Sequence, residues 1–174
     1  MAFYLLKPDP DYTDVPQVTG WFELIKSREI SREQAYRMPE RELFYLKGNP
    51  YTTFLDILFQ PCLLVTDKIK EIITLYEPDT IYKQVALIDR DNSFAELYHL
   101  PILHTIDCLT DQSEFNRDRS VIKKAVINLS RIKDRSMFNL AKVNGNHLVG
   151  RLDIVESILR TDIQGLNLLP VETV

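Results

Sequence analysis

Asp56-Ile57-Leu58-Phe59-Gln60-Pro61-Cys62-Leu63-Leu64-Val65-Thr66-Asp67 opens the stretch, residues 56–89, whose reading decides the fold. A short apolar run, residues 62–65, leads into a helix expected to start at Thr66, whose hydroxyl suits the free amides of a first turn. Asp67 then sets a negative charge at the positive end of the helix dipole. Ile69, Ile72, Ile73 and Tyr76 recur at i, i+3, i+4 and i+7, the spacing of one apolar helix face, and Pro78 stops the helix. Residues 82–88 follow as a strand. This stretch carries no group suited to catalysis and reads as structure.

Working outward, residues 95–99 return across the turn Asp89-Arg90-Asp91-Asn92 as the second arm of a hairpin. Residues 104–108 alternate as a strand, residues 111–119 are polar and exposed, and residues 121–129 and 137–143 regain strand character. Toward the end, Val155, Ile158 and Leu159 mark a second helix over residues 153–160, with Gly165 as its expected C-cap. An ungapped alignment of residues 65–75 with residues 150–160 matches Ile69 with Ile154, Glu71 with Glu156 and Ile73 with Ile158. Two similar strand–helix–strand units give that score, and so do two ordinary amphipathic helices. Near the start, residues 3–7 read as a strand closed by Pro8-Asp9-Pro10, and Ser31-Arg32-Glu33-Gln34 as a capping box for a short helix. Trp21, Phe22, Leu24 and Ile25 form an apolar patch compatible with helix or strand. Residues 43–46 read as a strand ended by Gly48-Asn49-Pro50.

A chain of 174 residues fits one domain, residues 1–174, and at this size buries roughly 70% of its unfolded surface without disulfides or metals. The expected class is α+β: a mostly antiparallel sheet with a few amphipathic helices packed on it. The net charge of −4 is spread evenly, with 10 basic and 13 acidic residues up to Ile88 and 11 and 12 after it. With no basic block, a nucleic-acid backbone is not an expected partner. No apolar run reaches the length of a membrane span. Residues 1–7 are too short for a signal-peptide core. Cys62 and Cys108 both lie in apolar context, which fits a reducing cytoplasm.

His99, His104, Asp107 and Cys108 form the one cluster that invites a catalytic reading. On a strand His104 and Cys108 share a face while Asp107 points away, so a metal gains two ligands at most. A Cys–His nucleophile wants cationic neighbours, and Cys108 has Asp107 beside it. No phosphate-loop, dinucleotide, zinc-protease or serine-hydrolase motif occurs. The preferred reading is therefore not an enzyme, with no cofactor and no metal; the alternative is a small cytoplasmic enzyme using the segment from His104 to Cys108.

Several stretches together resemble the immunity proteins numbered eleven of bacterial polymorphic-toxin systems, formerly a domain of unknown function. The carriers are Phe3-Tyr4-Leu5-Leu6; Asp56-Ile57-Leu58 with Leu63-Leu64-Val65-Thr66; Ala95-Glu96-Leu97-Tyr98-His99; Ile106-Asp107-Cys108-Leu109; Met137-Phe138-Asn139-Leu140; the second helix; and Ile163-Gln164-Gly165-Leu166. The segment from Asp9 to Pro50 matches least, and Thr66 stands where the resemblance leads one to expect serine. The resemblance implies a cytoplasmic inhibitor that binds a cognate toxin domain and blocks it. Many such toxins are nucleases with basic clefts, so an acidic loop is the expected toxin-facing surface. Asp111, Glu114 and Asp118 are the best candidates, with Asp107 reserved for a structural role; an ordinary solvated loop is the bland reading.

Overall fold

The computed structural model describes residues 1–20 and 30–174, so the apolar patch at 21–25 lies outside the described residues. Thirteen strands and two α-helices are present among them. The strands are β1 (Phe3–Pro8), β2 (Arg41–Tyr45), β3 (Ile57–Leu58), β4 (Leu64–Val65), β5 (Ile81–Asp89), β6 (Phe94–Ile102) and β7 (Thr105–Ile106), then β8 (Glu114–Phe115), β9 (Ile122–Lys124), β10 (Val126–Ile127), β11 (Met137–Leu140), β12 (Leu148–Arg151) and β13 (Leu166–Thr173). Helix α1 spans Asp67–Tyr76 and α2 spans Leu152–Leu159. The class is α+β, mostly sheet with two helices.

Two larger sheets carry the fold. The first runs β10-β13-β1-β12-β11-β7 and the second β2-β5-β6-β4-β3, with β8 and β9 as a separate hairpin. The expected antiparallel arrangement holds for the inner pairs and for β3 with β4 but not at the other three edges. There β2 runs parallel to β5, β10 to β13 and β7 to β11, so both sheets are mixed. Each parallel partner is reached by a long crossover, and local turn signals report only hairpin neighbours.

Within those orders the two sheets repeat one plan. β3-β4-β6-β5-β2 matches β11-β12-β1-β13-β10, with antiparallel pairs throughout except the last, and with a helix after β4 and after β12. The strand that β6 supplies in one unit is supplied in the other by β1, from the opposite end of the chain. The residues that align in sequence are the ones that align in structure: Ile69 and Ile154 are fully buried, as are Ile73 and Ile158. At Gly150, which aligns with Val65, a Cβ would lie 2.9 Å from Val155 Cγ2, so its absence lets α2 sit close on β12.

The two isoleucine faces share one core with Leu6, Met137 and Leu148 of the first sheet and Ile57 and Val65 of the second. Tyr76 ties the helices at their rim, its hydroxyl 2.7 Å from Ser157 Oγ. The opposite face of the first sheet (Phe3, Leu5, Phe138, Val149) is covered by Cys108, Ile122, Ile127 and Ile132. The opposite face of the second (Phe44, Val85, Leu87, Leu100) is covered by Ala35, Met38 and Leu55, with Tyr98 donating its hydroxyl to Leu55 O at 2.8 Å.

Some local expectations change. Thr66 does occupy the N-cap position, but its hydroxyl donates to Asp56 Oδ1 at 3.2 Å, a charged acceptor, and makes no cap bond. Ser31 accepts from the Gln34 amide at 3.2 Å, as a capping residue should, yet only a 3-10 turn, Ala35–Arg37, follows. Gly165 is not a C-cap: α2 ends six residues earlier, and Gly165, at φ +82°, turns the chain into β13, where a Cβ would fall 2.4 Å from Leu55 Cδ1. The alternating stretch from His104 to Cys108 is strand only at Thr105–Ile106. Residues 121–129 break into β9, β10 and a 3-10 turn, Leu129–Arg131, and the polar segment after Asp111 contains the short strand β8.

Ile73 is 1% exposed inside the shared core. Ile73→Ala should therefore lower unfolding free energy by about 2–5 kcal/mol in denaturant titration. A loss below about 0.5 kcal/mol would remove this face from the core.

Candidate functional site

β2, β5 and β6 pair in register, so residues paired across them point to the same side. On the side that α1 packs against, the first two rows are Tyr82–Pro101 and Arg41–Gln84–His99. Here the helix reaches the sheet: Asp67 Oδ1 lies 2.6 Å from Nε2 of the buried His99, Thr74 Oγ1 donates to Tyr82 OH at 3.1 Å, and Lys70 stands over the Tyr82 ring. Arg41 closes this polar row by donating twice to Gln84 Oε1, at 2.8 and 3.0 Å.

The next two rows, Leu43–Ala86–Leu97 and Tyr45–Ile88–Ala95, lie beyond the helix. Leu43 is 48% exposed, Leu97 43% and Tyr45 37%. The guanidinium of Arg90 lies 3.9 Å from the centre of the Tyr45 ring. Six apolar side chains thus form a contiguous open floor on the second sheet, rimmed by α1 and by Arg41 and Arg90. Sequence reasoning missed it. The signal was the unbroken run Val85-Ala86-Leu87-Ile88, which reads as a strand buried on both faces, whereas described residues cover only one face there.

The four residues of the suspected catalytic cluster do not meet at one site: His104 and Asp107 border a common cleft, while His99 and Cys108 are buried elsewhere. His99 is held by Asp67, His104 Nε2 lies 2.9 Å from Asp79 Oδ2, and Asp107 pairs with Lys142 at 2.6 Å. Cys108 is fully buried in the outer core of the first sheet. Burial pushes its thiol up to about 11, with the charge of Asp107 adding to the effect. Cys62, 1% exposed, is pushed up by burial to about 12. Among the described residues no group of three or more His, Cys, Asp or Glu is placed to hold a metal, and no helix is long and apolar enough to cross a membrane.

Asp111, Glu114 and Asp118 are all exposed, on the excursion between β7 and β9 that folds over the outer face of the first sheet. Glu114 sits opposite Lys124 in the β8–β9 ladder, and Asp118 Oδ1 accepts from Ser120 N and Oγ at 3.1 and 2.7 Å, which lowers its pKa. Arg117 and Arg119 lie between and beside these acids, Arg119 over the Phe115 ring. The segment is a mixed-charge hairpin more than an acidic face.

A polar network joins the end of α1 to the start of β11. Buried Glu77 accepts from the amides of Ser136 and Met137 at 2.5 and 3.2 Å and from Arg135 Nη1 at 2.9 Å. Arg135 also donates to Asp79 Oδ1 at 2.8 Å, and Arg32 Nη1 donates to Asp79 O at 2.9 Å. Beside this network His104, Thr105, Ile106, Asp107, Arg131, Ile132, Lys133 and Arg135 line a half-open cleft of about 410 Å³. Compared with known proteins, the sequence matches no family model and no curated relative.

Two measurements follow from these environments. A thiol reagent at pH 8 should modify Cys62 and Cys108 of the native protein at least about a hundredfold more slowly than in the unfolded chain, because the reactive thiolate is suppressed; rapid labelling of Cys108 would refute its buried placement. Asp79 is held well below its ordinary value, first by the hydrogen bond from His104 and then by Arg135. A depressed carboxylate stabilises the fold above its unfolded pKa, and that contribution is lost as pH falls through the folded value. Asp79 is 44% exposed. Asp79→Asn should therefore cost on the order of 1 kcal/mol or less at pH 6, with the difference from the parent shrinking below about pH 4. A difference independent of pH would rule out the charged network as its source.

Proposed function

We propose that this protein is an immunity-type inhibitor, which binds a cognate toxin domain in the cytoplasm of the producing cell and blocks it by occupying its surface. The observation that carries the reading is the open apolar floor Leu43–Ala86–Leu97 and Tyr45–Ile88–Ala95. Contiguous exposed apolar side chains rimmed by polar ones mark sites of protein association. Tyr and Arg, here stacked as Tyr45 and Arg90, are the residue types that anchor such interfaces. The resemblance to the immunity proteins numbered eleven supplies the kind of partner. Two free buried thiols suit a reducing compartment. Asp111, Glu114 and Asp118 act in this reading as a secondary surface that steers encounter, since Arg117, Arg119 and Lys124 dilute their field.

The test is binding to, and growth rescue from, the toxin domain encoded beside this gene. Leu43→Asp and Leu97→Asp change half-exposed positions and should leave the fold intact by circular dichroism. Each should weaken the complex by about thirtyfold or more and abolish rescue. Replacing Asp111, Glu114 and Asp118 with serine should slow association by about tenfold at low salt and less at high salt. Unchanged affinity in both aspartate variants would overturn the apolar floor as the interface. Failure of the parent protein to bind or rescue would overturn the inhibitor reading itself.

A further inference from the structure

We infer that the cleft beside β7 binds the phosphate group of a small molecule. Four cationic or proton-donating side chains, His104, Arg131, Lys133 and Arg135, converge on it, with Asp107 as its one acidic wall. That acid is neutralised from outside the cleft by Lys142 at 2.6 Å. Arg135 is balanced by Glu77 and Asp79 on its Nη1 side. The side chains of Arg131 and Lys133 make no hydrogen bond or ion pair with any described residue. The cleft therefore holds two cationic side chains free of direct partners, Arg131 acting on Asp107 only at longer range, on a chain whose net charge is −4.

The backbone points the same way. Ile132 is right-handed at φ −83°, ψ −23°, and Lys133 and Asp134 follow at φ +50° and +60°. A right-handed residue followed by a left-handed one gathers successive amides into a concavity that suits an anion. The amides of Lys133 and Asp134 donate to no described residue. Left-handed backbone is unfavourable for lysine, and this strained turn borders the cleft through Arg131, Ile132, Lys133 and Arg135. Thr105, also in the lining, adds a hydroxyl with no partner among the described residues.

The size of the cleft selects the ligand class. About 410 Å³ exceeds one oxyanion and lies in the range of small-molecule sites. Ile106 and Ile132 provide an apolar wall for an organic body. A nucleic-acid strand would need a basic track continuing past the cleft, and the acids and bases of this chain are evenly mixed. A phosphate ester is the fitting occupant.

The experiment is amide NMR of the full chain, titrated with inorganic phosphate and with a nucleoside monophosphate at ionic strength held constant by sodium chloride. Saturable shifts at the amides of Lys133 and Asp134 with both ligands, tighter for the ester, are expected. Saturation by inorganic phosphate alone would confirm the anion site and refute the ester body. Arg131→Ala and Lys133→Gly should each weaken binding by about tenfold; glycine keeps the left-handed turn and removes only the ammonium. Equal shifts with sodium chloride alone, unsaturated shifts, or unchanged affinity in both variants would overturn the site. Tighter binding of a short oligonucleotide than of the monophosphate would overturn the small-molecule class.

Discussion

Helices of ten and eight residues are too short to persist in water by propensity, since nucleation costs more than so few hydrogen bonds return. α1 and α2 exist because each lays an isoleucine face into the same core. Ile69 and Ile73 meet Ile154, Val155 and Ile158 there, with Leu6, Ile57, Met137 and Leu148 contributed by the sheets. That one burial joins the two sheets. It also fixes what lies at its edges: the N-terminus of α1 reaches His99 through Asp67, and the loop after α1 carries Glu77 to the amides that open β11.

The doubled plan explains why the burial is symmetric. Each unit contributes a two-stranded hairpin, a helix, and a strand that crosses back to lie two places away, and each has a parallel strand at the same edge. β1 completes the second unit from the start of the chain, and its pairing with both β12 and β13 brings the beginning and end of the described chain into one sheet. Closure by β1 makes the first sheet discontinuous in the chain, whereas the second is complete within residues 41–102.

The units differ in what covers them, and the two proposed surfaces fall where they differ. The excursion through β8 and β9 seals the outer face of the first sheet. On the second sheet α1 covers two rows of the helix side and leaves two apolar rows open. The cations of the cleft that lack direct partners arise at the seam between units, where β7 and the turn before β11 meet. Both proposed surfaces lie where the repeat is imperfect: in rows that no described element covers and in a turn held in left-handed backbone.

Local information in the chain was enough for whatever a few neighbouring residues dictate. The periodic face of α1, its stop at Pro78, the hairpin across residues 90–93 and the polar excursion after Asp111 are decided by spacing, turn chemistry and solvation within a dozen residues. Even the aligned pairs Ile69–Ile154 and Ile73–Ile158 were legible, because both helices need the same face. Tertiary structure alone decided the parallel edge pairs, since the partners are separated by whole strand–helix units. It also decided that Thr66 answers to Asp56, that Gly165 serves a turn against Leu55, and that His104 and Cys108 part company. The open floor was hidden for the same reason: Val85-Ala86-Leu87-Ile88 is apolar on both faces, and which face another element covers is a property of chain packing. Burial is decided by neighbours distant in sequence, and no local pattern encodes their absence.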